Sequence, residues 1–444
     1  MLCGMSLPHD PLAHFRAECY QSFGLRRAAL FDLLDAVLSG ERITRLVRLS
    51  LEPGFRRGWA SLFDALADGR IDLAALRRLL RRSLPEPESG QRLLWVIDGS
   101  SWPRPAAKTS PGRTHCRVVH AGQPQSGIVP GWEYQWLAAI PEMRGSWVLP
   151  LELRRRGPRA GTPTSLAIRQ LKAVLQSRSR AAPRPIVLLD SHYDVPQLID
   201  ARLPVDLLAR LASNRRFFRA PPPYVGMGRP CKHGPIFRCA DPATQHDPDQ
   251  TQTFDDAEHG TVTIACWSGL HPQPHPELAL TVLRITVERL PRRAKAPAPL
   301  WLVWHGDTRP DDLSVLWRWY QRRFAIEHGF RFLKQDLGWT VPRLRTPQQA
   351  DRWSWLLALV LWQLWLARPL VTEARLPWER PTTAKRRSPG QVRRVMGRLL
   401  ATLPSLAPPP QPRGKSPGRA TGDHPGPRIR HPVHKRAPPA ATAA

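Results

Sequence analysis

RLLWVIDGSSW, residues 92–102, sets the fold. Leu93, Leu94, Trp95, Val96 and Ile97 make an apolar run too short for a helix and closed by a Gly-Ser turn, so a buried strand is expected. It ends on Asp98. RPIVLLDSHYD, residues 184–194, repeats the pattern, with Ile186 to Leu189 ending on Asp190. Taken singly, each aspartate reads as a turn former. Taken together, two buried strands each deliver a carboxylate at the C-terminal end.

Outward from these strands, HCRVVHAG, YQWLAAI and SWVLPLEL read as further strands, and Thr164 to Ser177 reads as a helix. Strands followed by a helix predict a mixed α/β domain. Residues 11–85 carry apolar side chains at three- and four-residue steps with basic ones between, the pattern of a small all-helical domain that is either a DNA-binding head or a helical cap on the next domain. Residues of about 216 to 300 change character: Pro, Gly, His and polar side chains dominate, with short strand candidates such as GTVTIACW and ALTVLRITV. They read as an inserted, mostly β subdomain. From Pro404 the chain is Pro-rich and basic without apolar periodicity, as expected of a disordered tail that adds nonspecific electrostatic affinity.

LWRWYQRRFAIEHGFRFLKQDLGW, residues 316–339, contains no proline and reads as one helix. At about 100° per residue, Tyr320, Arg323, Glu327 and Lys334 fall within an arc of roughly 60°. One face thus carries a carboxylate among two cations and a phenol. From the helix alone, a solvated ion pair on an amphipathic surface and a phosphate-binding face remain equally open.

The whole chain bears on that choice. Its 444 residues hold 66 Lys+Arg against 36 Asp+Glu, a net charge of +30 that points to a polyanionic partner, nucleic acid first. The six cysteines, Cys3, Cys19, Cys116, Cys231, Cys239 and Cys266, have no zinc-ribbon or redox spacing and fit a reducing cytoplasm. Cys231, His233 and Cys239 match no familiar zinc pattern. Residues 1–20 lack a basic start and an apolar h-region, so no secretory signal is expected. The apolar run Trp353 to Ala367 is too short to span a bilayer, includes Gln363, and reads as a buried helix. Other catalytic motifs fail: VGMGRPC lacks the third glycine of a dinucleotide fingerprint, RGKSPG lacks the first glycine of a phosphate loop, and no G-x-S-x-G elbow occurs.

Two-metal phosphodiester chemistry needs carboxylates from separate segments converging on two Mg²⁺ or Mn²⁺ ions about 4 Å apart. Asp98, Asp190 and Glu327 supply three, in the order of a ribonuclease H-like core. Tyr320, Arg323, Glu327 and Lys334 match at every position the Y-x2-R-x3-E-x6-K signature of a group of bacterial insertion-sequence DDE transposases. With VIDGSSW and VLLDSHYD at the two aspartates, the chain resembles that family over about residues 90 to 370.

The resemblance implies an α/β fold with a ribonuclease H-like catalytic core and a β-rich insertion, to which the residue pattern adds an all-helical N-terminal domain and a disordered basic C-terminal tail. The expected layout is residues 1–87 as a helical domain binding DNA ends, 88–215 and 306–370 as the two parts of the core, 216–305 as the insertion, 371–403 as a helical segment and 404–444 as the tail. Asp98, Asp190 and Glu327 would bind two divalent ions, Mg²⁺ or Mn²⁺. Tyr320, Arg323 and Lys334 would hold DNA phosphates. The expected partners are double-stranded DNA, as terminal inverted repeats and target, and a second subunit in a homodimeric synaptic complex. The expected place is the bacterial cytoplasm at the nucleoid, with no membrane association. Trp267, Trp301 and Trp304 are candidates to stack on a flipped base, with core packing as the alternative for each. Arg210, Arg215, Arg216, Arg229 and Lys232 are candidate DNA contacts, with a solvated surface side chain as the alternative for each. A ribonuclease H-like nuclease without strand transfer, and a catalytically silent transposase-derived repressor, are the alternative functions.

Overall fold

The structure, a computed structural model, describes residues 11–87, 90–119, 126–176, 178, 182–226, 228–290, 297–307, 309–371, 376–379, 387–412, 418, 420–424 and 426–436. In chain order, four helices come first: α1 Pro11–Gln21, α2 Arg27–Ser39, α3 Trp59–Asp68 and α4 Leu73–Arg82. Strands β1 Leu94–Pro103, β2 Thr114–Val119, β3 Ser126–Ile140 and β4 Leu149–Arg155 follow, then α5 Pro163–Leu175, β5 Ile186–Leu189, α6 Val195–Asp200 and β6 Asp206–Leu211. Next come β7 Arg216–Phe218, β8 Ile236–Arg238, β9 Gln250–Asp256, β10 Gly260–Leu270, β11 Leu280–Val287 and β12 Leu300–His305. Helices α7 Leu313–Arg322, α8 Ala325–Gln335, α9 Pro347–Ala367 and α10 Pro389–Thr402 complete the fold.

These elements divide into two compact units. Unit 1 is Met1–Glu86, Gly99–Thr162 and Ala325–Ala444; unit 2 is Pro87–Asp98 and Pro163–Phe324. Strand β1 runs from one into the other, so Asp98 is the last residue of its segment of unit 2.

In unit 2 the strand order is β1-β5-β6-β12-β11-β10-β9. The first three strands are parallel, and β6, β12, β11, β10 and β9 pair antiparallel in turn. Between residues 216 and 305 the described residues form strands β7 to β12 and no α-helix, and β7 pairs only with β8 among the described strands. Trp267, Trp301 and Trp304 are 1%, 4% and 2% exposed, and Trp267 stacks on Trp301 with ring centroids 5.8 Å apart. As placed, all three pack the core rather than offer a face to a base.

Unit 1 is organised around α9. A capping box starts it: Thr346 accepts from the Gln349 N–H, and the Gln349 side chain returns to the Thr346 N–H. Its side chains are apolar on every face, so it is buried against β4, α1, α2, α3 and α10 at once. The Trp362 indole donates to the Pro150 carbonyl at 2.7 Å. The N-terminal helices, expected as a domain of their own, therefore share one core with the C-terminal helices. Among the described residues, no helix is long and apolar enough to cross a membrane.

The basic tail departs from the expected disorder where it is described. The Pro408 and Ala407 carbonyls accept from Arg57 and Arg56, at 2.7 and 2.9 Å. His434 bridges Thr114 beside β2, and Arg436 pairs with Glu133. A proline-rich segment needs no periodicity to dock when its backbone groups find partners in this way.

Candidate active site

The register of the parallel pair builds the site. Leu94 lies opposite Ile186, Trp95 opposite Val187 and Val96 opposite Leu188. The recorded pairing ends there; the same offset of 92 residues, continued two residues further, leads from β1 at Asp98 to Asp190, the residue just past the end of β5. Neighbouring strands lie about 4.8 Å apart, so the carboxylates share one neighbourhood. Asp98 and Asp190 are partly exposed, while Val96 and Leu188 beneath them are fully buried.

A guanidinium joins them. Arg323 Nη1 donates to Asp98 Oδ2 at 3.3 Å and is itself 12% exposed. At Asp190, burial alone would raise the pKa. The Ser191 N–H bond to Oδ1 at 2.7 Å, the Arg323 charge and His192 outweigh burial and hold the carboxyl below its usual range. His192 Nδ1 lies 3.2 Å from Asp190 Oδ2. Tyr320 lies beside Arg323 with its hydroxyl enclosed. Burial pushes its pKa up to about 12, against smaller downward pulls from Arg323 and Arg210.

The expected single helix over residues 316–339 is interrupted. α7 stops at Arg322 and α8 starts at Ala325, with Arg323 N–H bonded to Tyr320 O at 3.0 Å and Phe324 N–H to Gln321 O at 3.2 Å. These i to i−3 bonds tighten the chain between the helices, so the 60° arc calculated for a continuous helix does not apply. The unit boundary falls at the same place.

Tyr320 and Arg323 thus belong to unit 2 with both aspartates, and Glu327 and Lys334 to unit 1. Glu327 sits in the first turn of α8, where a carboxylate complements the helix dipole. Lys334 lies in the last turn with Nζ 5.9 Å from the Trp339 ring centroid, and burial lowers its pKa. Among the described residues no three His, Cys, Asp or Glu side chains form a ready-made metal cluster.

His192 escaped the sequence reading. The signal was present in the Asp-Ser-His order after β5, because a side chain two residues beyond a strand-end aspartate can turn back onto it. Arg323→Gln is expected to raise the Asp190 pKa by removing an opposing charge. Where the deprotonated carboxylate is required, the acid limb of the cleavage pH profile should move upward; an unmoved limb would separate Arg323 from Asp190.

Two neighbouring carboxylates on adjacent parallel strands, Asp98 within β1 and Asp190 just past β5, with the part-buried Arg323 beside them, form a centre of hard oxygen donors in an α/β protein. Residues 18–273 match the family model described as DDE superfamily endonuclease. The match spans more than half of the chain, and the protein belongs to this family of DNA-acting nucleases. It takes in Asp98 and Asp190 and stops before Tyr320. No curated protein matches the chain.

Proposed function

We propose that this protein is a DNA transposase that cleaves the ends of an insertion sequence and joins them to target DNA through phosphodiester hydrolysis and transesterification. The observation that carries it is Arg323 set against both Asp98 and Asp190, two acids 92 residues apart in the sequence that the parallel pair β1 and β5 brings together, within the family match. The parallel run β1-β5-β6 supports a ribonuclease H-like core, and the helical signature supports the transposase group.

The donor chemistry fits Mg²⁺ or Mn²⁺, because aspartate oxygens are the ligands these ions prefer and Asp190 is held ionised. When bound, such ions supply an activated attacking oxygen and a stabilised leaving oxygen. Asp98 and Asp190 would hold them, with Glu327 as the third carboxylate. Arg323 orients Asp98 through its hydrogen bond and helps hold Asp190 ionised through its charge. Tyr320 and Lys334, with Arg323, would hold phosphates near the cleaved end, and two subunits would bring two ends together. No protein nucleophile is needed.

The endonuclease family gives the rival its footing: hydrolysis without strand transfer. A pre-cleaved element end incubated with target DNA and Mg²⁺ separates the two. Joined product in single-turnover assays is expected; hydrolysis alone would leave a nuclease.

A further inference from the structure

A row of arginines on unit 1 leads into a cleft. From Glu41 to Leu51 the chain repeats every three residues: Ile43, Leu46 and Leu49 are buried, and Arg42, Arg45 and Arg48 stand exposed beside them. Leu46–Leu51 is a 3₁₀ helix that carries Arg48, Arg45 is its extended N-cap, and Arg42 lies in the loop before it. The row continues into a cleft of about 810 Å³ between this segment, the end of α2 and α10, where Arg42, Arg393, Arg394 and Arg398 face Phe332.

Arg393 is the fixed member. It is buried and donates to the Val37, Glu41 and Asp336 carbonyls at 3.1, 2.7 and 3.4 Å, which pins α10 against the loop. Burial lowers its pKa to about 10, with Asp336 and Glu52 opposing, so it stays charged at neutral pH. Arg394 pairs with Glu379 at 2.6 Å. The Arg45, Arg48 and Arg398 side chains make no hydrogen bond or ion pair among the described residues. Across this cleft and the smaller one beside it, six arginines meet three acids, Glu41, Glu52 and Asp336.

A spaced row of guanidiniums suits a repeating polyanion better than one small anion. We propose that the Arg42, Arg45 and Arg48 row and the Arg394 and Arg398 face of α10 form a phosphodiester-binding surface that grips duplex DNA with residues separate from the carboxylate site. The proposal deepens the transposase reading and rests on its DNA substrate. It brings α10 into DNA binding and narrows the N-terminal contribution to one loop.

The test is anisotropy of a labelled duplex across a salt series with full-length protein. Arg45→Ala/Arg48→Ala/Arg398→Ala should lower the salt slope by about 2.7, near 0.9 per lost phosphate contact. The corresponding triple lysine variant should restore the slope, because a phosphate contact needs the charge. Arg70→Ala/Arg117→Ala/Arg202→Ala, an equal charge loss at exposed positions elsewhere, should leave it unchanged. An equal drop in that control would mean only bulk charge is sensed and would overturn the proposal. Displacement of the duplex by inorganic phosphate at constant ionic strength would assign the cleft to a small anion and also overturn it. A wild-type slope in the alanine triple, with cleavage still dependent on Asp98, would remove this surface and leave the nuclease reading intact.

Discussion

Asp98→Asn and Glu327→Gln are each expected to reduce cleavage and joining by at least about 10³-fold while duplex binding stays within about twofold. Holding a divalent ion contributes several kcal/mol of charge stabilisation in the transition state, and about 4 kcal/mol corresponds to three decades of rate. The amides keep the shape and remove the charge. At Asp98 the substitution also removes the ion partner of Arg323, leaving that cation nearer balance with Asp190 alone. Single-turnover cleavage and gel-shift assays on the same preparations separate the two effects. Asp72→Asn provides the control, because Asp72 caps α4 through the Ala74 and Ala75 N–H groups and has no proposed part in chemistry. Retained cleavage in Glu327→Gln would sink its assignment; retained cleavage in Asp98→Asn would sink the site as a whole.

The legible part of the site was the part written in local chemistry. An apolar run is readable because burial is short-range, but the turn expected at Gly99 and Ser100 does not form: β1 runs on to Pro103, so Asp98 sits within the strand, while β5 does stop at Leu189, just before Asp190. The helix break at Arg323 and Phe324 was not legible, because no Pro or Gly marks it. Residues 316–339 keep helical periodicity across a point where the chain passes between two compact units. Arg323 illustrates the same limit. Its spacing from Glu327 suggests a phosphate contact, whereas its observed partner, Asp98, lies 225 residues away. Pairings at that separation leave no trace in periodicity. The docked tail was missed for a related reason, since main-chain hydrogen bonds carry no side-chain pattern. Gln363 interrupted an apolar run and argued against a membrane span, but its structural task became visible only in the packed helices.

That task leads to the largest expected effect on stability. Arg16 on α1 is 3% exposed, donates to Asp35 on α2 at 2.8 and 2.9 Å, and donates to Gln363 Oε1 on α9 at 2.6 Å. Three helices of one core meet on one guanidinium. Arg16→Met keeps the volume and removes the charge, leaving Asp35 buried without its partner, which should cost about 3–5 kcal/mol at neutral pH. The pH dependence has a fixed sign. Burial already raises the Asp35 pKa, and the Arg16 hydrogen bond and charge oppose that rise; without them it climbs further. A carboxyl whose folded pKa lies above its unfolded value of about 3.9 contributes its stability below that value and loses it as pH rises through the folded pKa. The variant should therefore come closest to wild type in acid and fall furthest behind toward neutral pH. Arg16→Met/Asp35→Leu should recover most of the loss and flatten the dependence, because the unpaired charge, not the missing pair, carries the cost. Urea unfolding across a pH series measures both. A pH-independent deficit that persists in the double variant would assign the loss to packing around α9 instead.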